Sequence, residues 1–273
     1  MYITNKPWVA KIAEEAGVDW IFLDMEWIGK NSRQKGLDTV QNHHNFEDIR
    51  NIKNSVSKAK VLVRVNPIHE ALPDYPSSID EINSAIDAGA DILMLPFFKT
   101  VRDVRFFIDC VKGRANTCLL LETPEAALLL DEILEVTGVD MIHIGLNDLH
   151  LALGKKFMFE LLADGTIDRL SAKIKAKGIP FGFGGIATLD GGALPGIKVL
   201  KEHYRLGSSM VILSRSFCDT DIINDVAKMK EVFNPGIRSI RDLEKEAEMV
   251  AHYFADNRTA VVEDVNNIVA NKQ

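Results

Sequence analysis

Cys118-Leu-Leu-Leu-Glu122-Thr-Pro-Glu125 and, a little further on, Asp140-Met-Ile-His-Ile-Gly-Leu-Asn-Asp148-Leu149 decide how this chain reads. Each half is a short apolar run that stops at or just before a carboxylate. Leu119 to Leu121 lead into Glu122. Met141, Ile142 and Ile144 lead into Gly145 and then Asp148. A continuous apolar run bounded by turn residues reads as a strand buried on both faces, the habit of parallel sheets. In α/β folds the ligand sits beyond the carboxyl ends of such strands. Glu122 and Asp148 are therefore expected at a ligand site. Two carboxylates converging there repel each other unless a cation lies between them. A few hard oxygen ligands suit Mg²⁺ or Mn²⁺, with waters and substrate completing the shell, and other divalent metals fit the same donors. Taken singly, each acid also reads as a solvated loop residue or a helix cap.

Outward from these two strands the same phrase recurs. Glu15-Ala-Gly-Val-Asp19 precedes Trp20-Ile-Phe-Leu-Asp24, and Asp87-Ala-Gly-Ala-Asp91 precedes Ile92-Leu-Met-Leu-Pro96. Val136-Thr-Gly-Val-Asp140 precedes Met141, and Tyr204-Arg-Leu-Gly207 precedes the run 208–214. Each reads as a helix closed by glycine and followed by a buried strand. Further strands fit at 61–65, 118–122 and 180–186, and residues 1–4 supply a clipped first one. Amphipathic helices are expected at 8–16, 46–57, 79–88, 101–111, 124–136, 166–177 and 195–204. Eight strands alternating with helices predict an α/β fold, a (β/α)8 TIM barrel, over residues 1–233. An eighth barrel helix is expected at 221–233, broken by Asn234-Pro235-Gly236. Beyond it, residues 234–273 read as a C-terminal helical extension. Its stretch 240–255 carries apolar Ile240, Leu243, Ala247, Val250, Ala251 and Phe254 on one face, expected to pack on a neighbouring subunit. A last short helix is expected at 261–269.

The bulk properties exclude several classes. The chain has 273 residues, 47% of them hydrophobic, and a net charge of −7. That length suits one barrel of roughly 250 residues, and the charge gives no reason to expect nucleic acid or an anionic membrane as partner. Cys110, Cys118 and Cys218 are scattered and form no CxxC. This argues for a reducing compartment and against a disulfide framework or a zinc knuckle. No signal-like segment follows Met1, and no run approaches the ~18 apolar residues of a spanning helix. The expectation is a soluble, cytoplasmic protein.

The expected strand ends gather Asp24, Glu26, Arg64, Asn66, Lys99, Glu122, Asp148, Ser214 and Arg215. Arg64 follows Leu62 and Val63, so it points into the barrel mouth. A guanidinium there can grip a carboxylate or enolate oxygen through paired hydrogen bonds; the alternative is a structural partner for Asp24 or Glu26. Thr123-Pro124-Glu125 opens a helix, and its free N–H groups make an anion site beside Glu122. Gly145 and Leu146 offer further backbone donors. The expected ligand is a small anionic carbonyl compound.

Together Asp24-Met-Glu26, Val63-Arg64-Val-Asn66, Gly89-Ala-Asp-Ile-Leu-Met-Leu-Pro96, Leu121-Glu122-Thr123 and Ile144-Gly-Leu-Asn-Asp148-Leu149 resemble the HpcH/HpaI-type 2-oxo-acid aldolase and citrate lyase β-subunit family. The resemblance covers roughly residues 8 to 217. It implies a (β/α)8 barrel, trimeric or hexameric with an exchanged C-terminal helix. It implies Mg²⁺ or Mn²⁺ held by the acids matching Glu122 and Asp148, and a pyruvate-type enolate bound to that metal and to Arg64. The implied chemistry is reversible carbon–carbon bond cleavage beside a 2-oxo acid, of pyruvate or oxaloacetate type, with an unidentified aldehyde as second partner. Thioester (acyl-CoA) cleavage or hydrolysis is the alternative activity.

One departure matters. The family commonly places a His directly after Asp-x-Glu, working as base with the Asp, and here that position is Trp27. This favours a third reading, a barrel that binds a 2-oxo acid without turnover. Alternatively, the stretch 28–45 is long for a connection in a compact domain and ends at His43-His44. His44, with His43 as runner-up, is expected to serve as the base alongside Asp24. His143, within a strand, is expected to pack on the outer face.

Overall fold

The computed structural model describes residues 1–30, 44–249 and 254–272. Eight strands, all parallel, close into a barrel in chain order. They are β1 (Tyr2–Ile3), β2 (Trp20–Asp24), β3 (Lys60–Arg64), β4 (Ile92–Leu95), β5 (Asn116–Leu121), β6 (Met141–Ile144), β7 (Phe181–Ile186) and β8 (Met210–Leu213). Around them lie α1 (Pro7–Ala16), α2 (Phe46–Ser55), α3 (Ser78–Asp87), α4 (Val101–Val111), α5 (Pro124–Leu128) and α6 (Leu130–Ile133). Then follow α7 (Leu146–Ala152), α8 (Glu160–Ala163), α9 (Thr166–Ala176), α10 (Gly196–Leu206), α11 (Val226–Met249) and α12 (Ala255–Asn271). The expected (β/α)8 barrel with C-terminal helices is the fold.

Alternation along each strand divides the apolar residues into two layers. Phe22, Leu62, Met94, Cys118, Leu120 and Met141 fill the inside of the barrel. Ile21, Leu23, Val61, Val63, Leu119, Leu121, Ile142 and Ile144 face the surrounding helices. The same alternation fixes the mouth. Asp24 follows Phe22 by two, Arg64 follows Leu62 by two, and Glu122 follows Leu120 by two, so all three turn inward where the strands end. It also corrects His143, which shares its parity with Met141 and lines the interior, not the outer face.

Helix ends follow local chemistry. Gly17 and Gly207 close α1 and α10 in the left-handed conformation, at φ 101° and 78°, where a Cβ is unfavourable. Thr100 and Asn45 cap α4 and α2 in reciprocal boxes with Asp103 and Asp48. The helix expected over 124–136 is interrupted at Leu129, which separates α5 from α6.

The C-terminal region departs most from expectation. Asn234-Pro235-Gly236 does not break the chain's helix, because Pro235 lies inside the continuous α11. Phe233 and Ile237, one turn apart on either side of it, are both buried. That paired anchorage outweighs the hydrogen bond a proline removes. Ile240 and Leu243 are buried within the same chain; the Tyr204 hydroxyl donates to the Ile240 carbonyl, and Arg241 pairs with Asp19 at 2.6 Å. These two side chains therefore need no neighbouring subunit to cover them. Val250 and Ala251 lie outside the described residues. The last helix is longer than expected and buries Val261 and Val265.

Candidate active site

A cavity of about 430 Å³ opens at the carboxyl ends of the strands, lined by Asp24, Lys30, His44, Arg64, Glu122 and Asp148 among others. The β2–β3 register sets Asp24 directly beside Arg64. Arg64 Nε donates to Asp24 Oδ1 at 2.8 Å and Nη2 to Oδ2 at 2.7 Å. Its third nitrogen, Nη1, lies 3.3 Å from Glu26 Oε2. Lys30 Nζ completes the group, donating to Asp24 Oδ2 at 2.9 Å and lying 3.7 Å from Glu26 Oε2. Burial works to raise the Asp24 pKa, but Arg64 and then Lys30 outweigh it and hold the carboxyl well below the usual range. Burial likewise works to lower Arg64, and Asp24 and Glu26 reverse it, so the guanidinium stays charged.

This geometry decides between the two readings of Arg64. Its paired fork is taken up by Asp24, so the grip expected on a substrate carboxylate is already occupied by the protein's own acid. The outer N–H groups of Nη1 and Nη2 are the ones left to face the cavity. Asp24, fully ionised and encircled by donors, is a poor proton acceptor. It positions the two cations instead, which revises the catalytic role expected of it.

On the other side, Glu122 is buried, with Oε1 accepting the Phe97 N–H at 3.0 Å. Burial raises its pKa well above the ordinary value, and the charges of Glu26 and Asp148 raise it further; Arg64 and the Phe97 N–H oppose this. A Cβ at Gly145 would lie 2.8 Å from Glu122 Oε2, so only glycine leaves this space open. Among the described residues no cluster of three or more His, Cys, Asp or Glu converges as a complete metal cage. Two carboxylates with mutual repulsion nonetheless fit a hard divalent ion, which keeps most of its waters. Glu122 and Asp148 are the residues able to hold one.

The remaining expectations divide. Gly145 and Leu146 line the cavity, and the first-turn N–H groups of α7 have no carbonyl within the helix to bond. Thr123 does not reach the cavity: it is buried, its hydroxyl donating to the Phe98 carbonyl and accepting from the Ala126 N–H. That corrects its expected role in substrate binding, and the helix it caps has only five residues. His44 does reach the mouth, but its Nδ1 accepts the backbone N–H of Asp24 at 3.0 Å. The lone pair a base needs is committed, and Nε2 carries the proton. His43 lies outside the described residues. Lys99 pairs with Glu125 at 3.0 Å on the surface, and His69 bonds the carbonyls of Pro67 and Pro76. The Trp27 ring meets Tyr75 edge-on at 5.4 Å and is 41% exposed.

Sequence reasoning missed two contributors. Lys30 had no motif to mark it, although it follows Glu26 by four residues. Glu81, fully buried, sits in a helix whose amphipathic pattern gave no hint that an acid would face inward. It accepts from the N–H and Nδ2 of Asn66, and Asn66 Oδ1 in turn accepts the N–H groups of Trp27 and Ile28, each at 2.9 Å.

The HpcH/HpaI aldolase/citrate lyase family model matches residues 2–179. The chain belongs to this family. Family members are enzymes of the aldolase and lyase type. A family protein from Burkholderia cenocepacia J2315 is similar over 89% of this chain and 94% of its own, at 14% identity and a TM-score of 0.61. The HpcH/HpaI aldolase of Desulfitobacterium hafniense DCB-2 is similar over 88% and 91%, at 17% identity and 0.58. Citrate synthase SbnG is similar over 85% and 92%, at 16% identity and 0.59. At these identities the likeness is one of fold. No curated protein gives a significant match.

Proposed function

We propose that this member of the family is a class II carbon–carbon lyase, dependent on Mg²⁺, Mn²⁺ or a similar divalent ion, that acts on a 2-oxo acid through a pyruvate-type enolate. The observation that carries the reading is the pairing of Glu122 and Asp148, acids with mutual repulsion, across one cavity from a charged Arg64. A divalent ion held by these acids supplies the Lewis acidity that makes the 2-oxo acid's methyl group acidic. The chain's own residues hold and orient the substrate, and solvent takes the methyl proton. Asp24 and Glu26 hold the Arg64 guanidinium so that its outer N–H groups face the substrate oxygens, where charge develops. The first-turn N–H groups of Leu146 and Asn147 offer a second set of donors for the substrate carboxylate.

The test is exchange of the pyruvate methyl protons in deuterated water. The proposal expects exchange that needs added Mg²⁺ or Mn²⁺. Tight pyruvate binding without exchange would favour the reading that Trp27 suggests, a barrel that binds a 2-oxo acid without turning it over.

A further inference from the structure

The cavity wall holds a cation that no motif announces. Lys30 is 5% exposed. A lysine is almost never so buried unless paired, and here the pairing is built in. The turn that carries Lys30 closes with its own N–H on the Trp27 carbonyl at 3.1 Å. Asn66 clamps that turn from below through the N–H groups of Trp27 and Ile28. Asn66 is fixed in turn by Glu81, Tyr75 and the Met25 carbonyl. A polar chain through the buried Asn66 and Glu81 thus lies beneath the turn that sets one ammonium at the cavity.

An ammonium has three N–H donors. Asp24 Oδ2 takes one at 2.9 Å, and Glu26 Oε2 faces a second at 3.7 Å. The third is bonded to none of the described residues, and Lys30 lines the cavity. Strand order then says what it faces. Glu122 and Asp148 stand at the ends of β5 and β6 and Arg64 at the end of β3, while Lys30 follows β2. On the lyase reading, the 2-oxo acid lies between β5–β6 and β3. The bond to be formed or broken then extends past Arg64, towards Lys30.

We propose that Lys30 is a catalytic residue: its ammonium hydrogen-bonds the aldehyde-derived oxygen and hands it a proton as the carbon–carbon bond forms. In that step the enolate carbon bonds to the aldehyde carbon, and the carbonyl π pair moves onto oxygen. The oxygen takes a proton from Lys30, and the amine recovers one from solvent, which received the proton lost by the methyl group. Cleavage runs the same transfer in reverse. An alkoxide is a far stronger base than an amine, so the transfer is favourable where it occurs. Asp24 and Glu26 orient the ammonium, and Asn66 positions it from behind.

This assignment rests on the lyase reading, and the experiment separates the two. Wild type and Lys30→Met are compared, with saturating Mn²⁺, in pyruvate methyl-proton exchange and in condensation of pyruvate with glycolaldehyde, glyoxylate or succinic semialdehyde. Exchange involves no aldehyde oxygen, so Lys30→Met should slow it less than tenfold. Condensation should fall at least a hundredfold in kcat, the usual worth of a positioned proton donor. Ethylamine added to Lys30→Ala should restore part of the condensation rate and leave exchange unmoved. Equal losses in both reactions, or no loss in either, would overturn the role of Lys30 while leaving the lyase reading standing. A wild type that neither exchanges pyruvate nor condenses any of the three aldehydes would overturn the lyase reading, and this assignment with it.

Discussion

At the ends of β2 and β3 each acid meets a base, whereas at the ends of β5 and β6 acids face acids. Asp24 and Glu26 share Arg64 and Lys30 over distances of 2.7 to 3.7 Å. Glu122 feels Glu26 and Asp148, with Arg64 and one backbone N–H in opposition. Asp24, Glu26 and Glu122 are all buried, so burial does not distinguish them. What differs is the sign of the charges nearest Asp24 and Glu122. The first region fixes geometry through its own cations. In the second, neighbouring carboxylates crowd Glu122, which is where a bound cation gains the most.

The largest effect expected from this contrast is in the balanced half. Asp24→Asn leaves Arg64 and Lys30 without the carboxylate that joins them. Breaking a buried ion pair from one side typically destabilises by about 3–5 kcal/mol. Denaturant unfolding of Asp24→Asn should show a loss of that order, together with loss of 2-oxo-acid binding. A variant as stable as wild type would mean that Glu26 alone can hold both cations, and the two halves would differ less than their geometry says.

A smaller effect of opposite sign is expected where Glu122 meets other acids. The folded pKa of Glu122 is raised above its ordinary value of 4.5. A raised group contributes stability that is fully present below the unfolded pKa and lost as pH rises through the folded one. Metal-free wild type should therefore lose stability relative to Glu122→Gln as pH rises above about 4.5. Asp24 behaves in the reverse sense: its lowered pKa gives stability that persists above its ordinary value of 3.8 and is lost only in stronger acid. Melting temperatures of wild type and Glu122→Gln across this range check the sign. A constant difference between them would remove the charge imbalance on which the contrast depends.

How much of this the sequence showed follows from the kind of signal each feature leaves. The barrel was legible because each helix-ending glycine is followed by an apolar run, a local pattern repeated around the chain. The place of Asp24, Arg64 and Glu122 at the mouth was legible from the strand ends, whereas the alternation that turns them inward was not used, which is why His143 was misplaced. The partner of Arg64 was not. Whether a guanidinium faces a substrate or a neighbouring acid depends on the β2–β3 register, which sets Asp24 beside Arg64 and which neither strand encodes separately. Pro235 misled for a related reason. Its local preference to end a helix was overridden by the burial of Phe233 and Ile237 on either side, a tertiary effect. His44 was placed at the mouth by loop length, but its commitment to the Asp24 N–H is a matter of atoms that spacing cannot show. Asn66 was marked by its place after β3, but its clamp on the Trp27 turn, and the role of Glu81, exist only once that turn is folded over them.

Glu122 after β5 and Asp148 in α7 are where a divalent ion is proposed to bind. Titrating Mn²⁺ into wild type and Glu122→Gln by calorimetry at pH 7 tests this most directly. Wild type should bind one ion, more tightly as pH rises, because the raised carboxyl of Glu122 has to ionise to ligate it. Glu122→Gln, folded and no less stable, should show no such binding. Equal Mn²⁺ affinity in the two proteins would contradict the account.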